Sequence, residues 1–315
     1  MHERTAARKS RLGAADETKR IQNIRRLGEV VVQSVRDMFT DSAPHWAAAI
    51  AYYSLLSTFP LILATASIAA YFVDPQMAAS KATQLLGEFI PKGVGEIEAL
   101  VQEAIAVRGT VGLFSIGTLL WTGSRVFNVS IKALNIAFDV DETYGFLKRT
   151  LVEVGMMLSI GLIFVTALAS GWLIRLVSNV LELLPAGQGV ITDIVQRLVP
   201  AFLLFLAFFL TYRFAPRTRP TSRAAVSGAA TATALFLVAR PLFLFYVERF
   251  ASYNLIYGSI AIVAILALWA WIVALILLFG GEIASHVQAI MIEGRSSEEV
   301  ARRHQERQPD RRSAV

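Results

Sequence analysis

The chain has 315 residues, of which 55% are hydrophobic and 17% charged, with a net charge of +6 and no cysteine. Soluble domains carry about a quarter charged residues, so this balance points to a membrane protein. The lack of cysteine excludes disulfides, thiolate metal sites and cysteine nucleophiles.

The opening MHERTAARKS is too polar for a cleaved secretory signal, so the first true span is expected to direct insertion. Residues 19–40 place Ile24, Leu27, Val31, Val35 and Met38 at helical spacing among Lys19, Arg20, Arg25, Arg26 and Arg36. That pattern predicts a basic amphipathic helix, lying on the membrane surface or packed on the bundle. Residues 1–40 are read as a cytoplasmic basic tail ending in this helix.

A membrane domain is expected over 41–293, with six spans at about 46–73, 110–133, 150–177, 198–214, 224–247 and 258–284. Between the first two, residues 75–107 give two short amphipathic segments that cannot span, read as a helical cap on the outer surface. The tail 294–315 has no apolar period and is expected to be disordered. The fold class is thus all-α: an integral membrane bundle of six helices with a short amphipathic cap outside. Lys and Arg concentrate in the two tails and between the fourth and fifth spans, at Arg213, Arg217, Arg219 and Arg223. Basic flanks stay cytoplasmic, which puts both termini inside and explains the net charge without nucleic acid.

The first span carries Tyr53, Ser57 and Pro60 on one face, and Pro60 removes the amide that would bond the Leu56 carbonyl. The freed carbonyl needs a donor, which Ser57, Thr58, a water or a neighbouring helix could supply. Two readings stay open: a hinge or broken helix lining a substrate path, and a static kink with the tyrosines packed inside. In the second span Ser115, Thr118, Thr122, Arg125, Asn128, Lys132 and Asn135 recur every three or four residues, a polar stripe on one face. Arg125 and Lys132 are expected at the depth of Glu153 in the third span and Glu282 in the sixth. An Arg125 pair with Glu153 or Glu282 would border a cavity open to the cytoplasm, or would only fix helix register.

The fifth span begins with Ala224, Gly228 and Ala232 four apart, which lets a neighbouring backbone approach closely. It later carries Arg240 before Pro241, and the sixth span opens with Tyr253, Asn254 and Tyr257. These are headgroup anchors or the polar lip of an outer mouth. The histidines His2, His45, His286 and His304 are far apart, with no metal-binding spacing, and no nucleophile elbow or phosphate loop occurs. No catalytic, cofactor or metal residues are assigned, and none of these patterns marks an enzyme.

Three stretches resemble the BrkB/YihY family of bacterial inner-membrane proteins: AAAIAYYSLLSTFPLIL at 47–63, TGSRVFNVSIKALNIAFDV at 122–140, and YNLIYGSIAIVAILALWAWIVALILLFGGEI at 253–283. Tyr53, Ser54, Phe59 and Pro60 match one family motif; Tyr257, Gly258, Gly280 and Glu282 match others. The resemblance covers residues 25–290 and implies six helical spans. The family has carried a ribonuclease label, a virulence-factor label linked to serum resistance, and roles in moving lipid. The expectation formed here is an inner-membrane transporter or translocator of a lipid or other amphipathic or anionic solute, without its own ATPase. Its expected partners are membrane lipids, with no cofactor. The rival expectation is a structural envelope scaffold; a membrane-bound ribonuclease ranks third.

Overall fold

In a computed structural model, the described residues are 30–72, 110–140, 188–250 and 254–292, parts of 150–159, and positions 28 and 145. Among them the secondary structure is helical, with no strand. We label α1 over 30–40, α2 over Ala43–Phe72, α3 over Thr110–Ala137, α4 over Gln188–Phe214, α5 over Ser222–Phe250 and α6 over Asn254–His286. A π-helical turn, Val287–Ile292, continues α6. The outer cap at 75–107, most of the third span and both tails lie outside the described residues.

Two helices among the described residues are long and apolar enough to cross a membrane over Ser222–Arg249 and Val263–Ala289. Only 22% of the most apolar window of each is buried, unlike the core helix of a soluble protein. Instead α5 turns Leu237, Val238, Leu242 and Phe245 outward. An exposed apolar surface of this extent is stable only against another apolar phase, and lipid is that phase. At about 1.5 Å per residue, the 30 residues of α2 and the 28 of α3 are likewise long enough for a bilayer.

The helices share one core, built from Ala47 and Ile50 of α2, Leu134 of α3, Phe208 and Tyr212 of α4, Ala229 and Ala232 of α5, and Ala274 and Leu278 of α6. α6 packs on α2 and α5, and touches α3 and α4. The small-residue stripe explains the tightest crossing. A Cβ added at Gly228 would overlap the Gly280 carbonyl oxygen, and one added at Gly280 would overlap the Tyr212 hydroxyl. Only two glycines let α5 and α6 come this close. Tyr212 itself is fully buried and donates to the Leu277 carbonyl oxygen at 2.8 Å, with its ring stacked on Phe208.

One end of the bundle is tied together by polar bonds. The Arg217 amide donates to Asn135 Oδ1 at 2.9 Å, and the Thr221 amide and hydroxyl donate to Gln288 Oε1 at 3.0 and 2.9 Å. Pro216 and Pro220 are buried there, while Arg217, Thr218 and Arg219 between them are exposed. Helix α1 docks on the same end, but not with its apolar stripe: Val31 and Val35 are exposed, while Val30, Ser34 and Asp37 are buried. Val30 joins Ala224, Ile283 and Val287 in a small satellite core. Of the two placements expected for this helix, the described part packs on the bundle, through Val30, Ser34, Asp37 and Met38, with Val31, Val32, Val35 and Phe39 turned outward.

Candidate functional site

A cavity of about 430 Å³ opens between α2, α3, α4 and α6, a volume in the range of small-molecule pockets. Its wall is mostly apolar, with Phe127, Phe208 and Trp269 among the lining side chains and Met156 closing one side. Four hydroxyls interrupt it: Ser54, Thr58, Ser130 and Thr211. Thr58 donates to the Ser54 carbonyl at 2.8 Å and Thr211 to the Ala207 carbonyl at 2.8 Å, so both are satisfied within their own helices. Such a wall holds alkyl chain well and can still offer an occasional hydroxyl oxygen to a polar group.

Beyond the cavity, toward the tied end, lies a buried polar group of side chains. Glu282 is 2% exposed and His286 wholly buried. The i, i+4 spacing stacks them on one face of α6, and His286 Nδ1 lies 3.0 Å from the Glu282 carbonyl oxygen. The other ring nitrogen, Nε2, lies 3.1 Å from Asp37 Oδ2. Ser34 Oγ approaches Nδ1 at 3.4 Å, so α1 contributes two polar residues to the ring. Glu282 Oε2 is buried and has no hydrogen-bond partner. Among the described residues, no three His, Cys, Asp or Glu side chains are placed to hold a metal ion together.

The residues expected to act together are distributed differently. Arg125 is exposed on α3, with its guanidinium 5.8 Å from the ring centre of Trp121 on its own helix. The structure therefore does not pair it with Glu282, on which the carboxylates of Asp41, Asp37 and Asp139 act. Thr122, Asn128 and Asn135 are buried, whereas Arg125, set by helical spacing between Thr122 and Asn128, is exposed. Lys132 is half-buried. Glu153 and Tyr253 lie outside the described residues, as do the side chains of Asn254 and Tyr257, whose backbones begin α6. Arg240 is exposed on α5.

On α2, Tyr53, Ser57 and Pro60 are half-buried and the helix runs through Pro60 to Phe72 without a break. The Ser57 and Thr58 hydroxyls both donate to the Ser54 carbonyl, at 3.0 and 2.8 Å. Neither serves the Leu56 carbonyl as expected, because Ser54, three and four residues back, is within easier reach. Sequence reasoning overlooked Ser34, Asp37, His286 and Tyr212. The first three had a readable signal: His286 one helical turn after Glu282, and Ser34 with Asp37 on a common face of an otherwise apolar and basic helix.

Comparison with known proteins supplies the remaining context. The pattern of a family described as Virulence factor BrkB matches residues 34–306. A ribonuclease-like protein, YfkH, of Bacillus subtilis (strain 168) is 25% identical over 243 residues, 75% of this chain and 87% of its own. A UPF0761 membrane protein of Pseudoalteromonas atlantica is 28% identical over 266 residues, 84% of this chain and 85% of its own. Another, from Alteromonas mediterranea, is 29% identical over 267 residues, covering 81% and 85%. No solved structure matches.

Proposed function

Because the chain belongs to the Virulence factor BrkB family of membrane proteins, we propose that it is a six-span inner-membrane translocator of a lipid or similar amphipathic solute, without its own ATPase. The observation that carries this reading is the cavity of about 430 Å³, apolar, lined by four helices and set with hydroxyls. An alkyl chain fits such a wall, and the Ser130 and Thr211 side chains give a headgroup something to bond as it passes.

Chain parity supports six spans. α3 and α4 both finish at the tied end, where Asn135 meets Arg217, while α4 begins at Gln188 at the opposite end. Met156, between α3 and α4 in sequence, joins the shared core. The tied end also gathers Arg217, Arg219 and Arg223, together with α1 and the end of α6. The positive-inside tendency supports reading this end as the cytoplasmic one.

A second reading, an envelope scaffold, draws on the Gly228–Gly280 crossing and the buried Tyr212, which are built for rigidity. A ribonuclease is not proposed, since RNA hydrolysis needs a hydrated site that a polyanion can reach, and both Glu282 and His286 are buried. Reconstitution separates translocator from scaffold. Vesicles holding the purified chain should move a headgroup-labelled phospholipid between leaflets faster than protein-free vesicles; equal rates would leave the scaffold.

A further inference from the structure

The polar group at the tied end has no part in lining the cavity. Glu282 is five residues beyond Leu277, the last cavity-lining position of α6, which is about 7.5 Å along the axis. Between them lie Gly280 and Gly281, pressed against Tyr212 and Leu134. A change at Glu282 therefore meets tightly packed backbone between it and the cavity wall, where side chains have little slack to absorb it.

The surroundings of Glu282 are one-sided. Asp37 of α1, Asp41 of the α1–α2 turn and Asp139 beyond the end of α3 all act on it as negative charges. α3 also carries the half-buried Lys132 further into the span. At this end α2 has His45 and α5 has Arg223, both exposed, and the Tyr212 hydroxyl of α4 is committed to the Leu277 carbonyl. On α6 itself His286 turns Nδ1 to the Glu282 carbonyl and Nε2 to Asp37, not to the Glu282 carboxylate. The buried Oε2 of Glu282 is left with no donor.

A buried carboxylate oxygen among carboxylates requires a cation. A metal ion would need several oxygens converging at fixed distance, and the described residues present no such group of three. A proton needs one acceptor oxygen and no coordination shell. We propose that Glu282 Oε2 is a proton-binding site, filled from the cytoplasmic end past Asp37 and His286, whose occupancy sets the packing of α6 beside the cavity. The site stands on its geometry alone; its use as the coupling ion of transport rests on the translocator reading above.

The π-helical turn at Val287–Ile292 fits this role. It begins directly after His286, and its Gln288 holds the α4–α5 turn through Thr221. π turns add one residue to a helical turn and are frequent at functional sites.

Infrared difference spectroscopy on the full chain in lipid nanodiscs, titrated from acid to alkaline pH, tests the site. The wild type should show a protonated-carboxyl C=O band that moves when glutamate alone is ¹³C-labelled and disappears as the pH rises. Glu282→Gln should lose that band, and Glu282→Asp should keep one that no longer responds to the glutamate label. A wild-type spectrum with no such band, or a band insensitive to the label, overturns the site whether or not the variants fold. Loss of the band on adding sodium, potassium or magnesium at constant pH overturns it in favour of a metal cation. Coupling is read separately in proteoliposomes. Lipid flux by the wild type should change with an imposed pH gradient, and Glu282→Gln should lose that response. Wild-type flux indifferent to the gradient removes the coupling and leaves translocation; no wild-type flux removes translocation and leaves the spectrum to decide the site.

Discussion

At the scale of single residues, the contacts that hold this protein together are polar atoms and glycines rather than large apolar side chains. Apolar burial distinguishes little inside a bilayer, since lipid tails are as apolar as leucine. The Tyr212 hydroxyl bond to the Leu277 carbonyl is one such contact, and Tyr212→Phe should lower stability by about 1 kcal/mol in a detergent or nanodisc unfolding titration. Gly280→Ala should cost more, about 1–3 kcal/mol, because the added methyl meets Tyr212 and Ala232 on neighbouring helices. The glycine effect was legible in the sequence, as Ala224, Gly228 and Ala232 spaced by four. Tyr212 was not, because a tyrosine near the end of an apolar run reads as an interfacial anchor until its neighbours are known. Arg125 shows the opposite failure. Spacing puts it midway between Thr122 and Asn128, about 60° from each, yet those two are buried and Arg125 is exposed, so helical period alone does not decide which side chain is covered.

At the scale of elements, α1 carries two faces with different uses. Its apolar outward face, Val31, Val32, Val35 and Phe39, suits the membrane boundary, and its polar inward face, Ser34 and Asp37, completes the ring around His286. Val35→Ser should therefore change bundle stability by no more than about 0.5 kcal/mol in a thermal unfolding assay in detergent. Ser34→Leu, by contrast, forces a larger side chain against His286 and should lower stability by about 1–3 kcal/mol in the same assay. The amphipathic period of α1 was readable from residues 19–40, but which face docks was not: a soluble helix buries its apolar stripe, whereas one at a membrane has an apolar partner on the outside as well. α2 teaches a related point. Pro60 removes one backbone bond, and a long helix packed on α3 and α6 continues through it all the same.

At the scale of the whole molecule, hydropathy and charge made the membrane class legible, because length, apolar composition and basic flanks are properties of runs rather than of contacts, while the family was legible only through the resemblance of three stretches. The cavity was not legible, since its wall is assembled from four helices whose hydroxyls are dispersed between Ser54 and Thr211. Topology is open to direct measurement because the chain has no cysteine, so a single introduced thiol reports its own side. A thiol at Thr218 should react with an impermeant maleimide only from the cytoplasmic face, and one at Gln188 only from the opposite face. Labelling of both from one side would break the parity on which six spans rest. The central claim, that the cavity is the route of an amphipathic solute, is tested most directly by filling it. Ala270 lines the space, and Ala270→Trp should reduce leaflet-to-leaflet movement of labelled phospholipid in proteoliposomes to the protein-free rate while wild type exceeds it at equal protein content and equal unfolding temperature. A folded Ala270→Trp variant that moves lipid as fast as wild type would contradict the account.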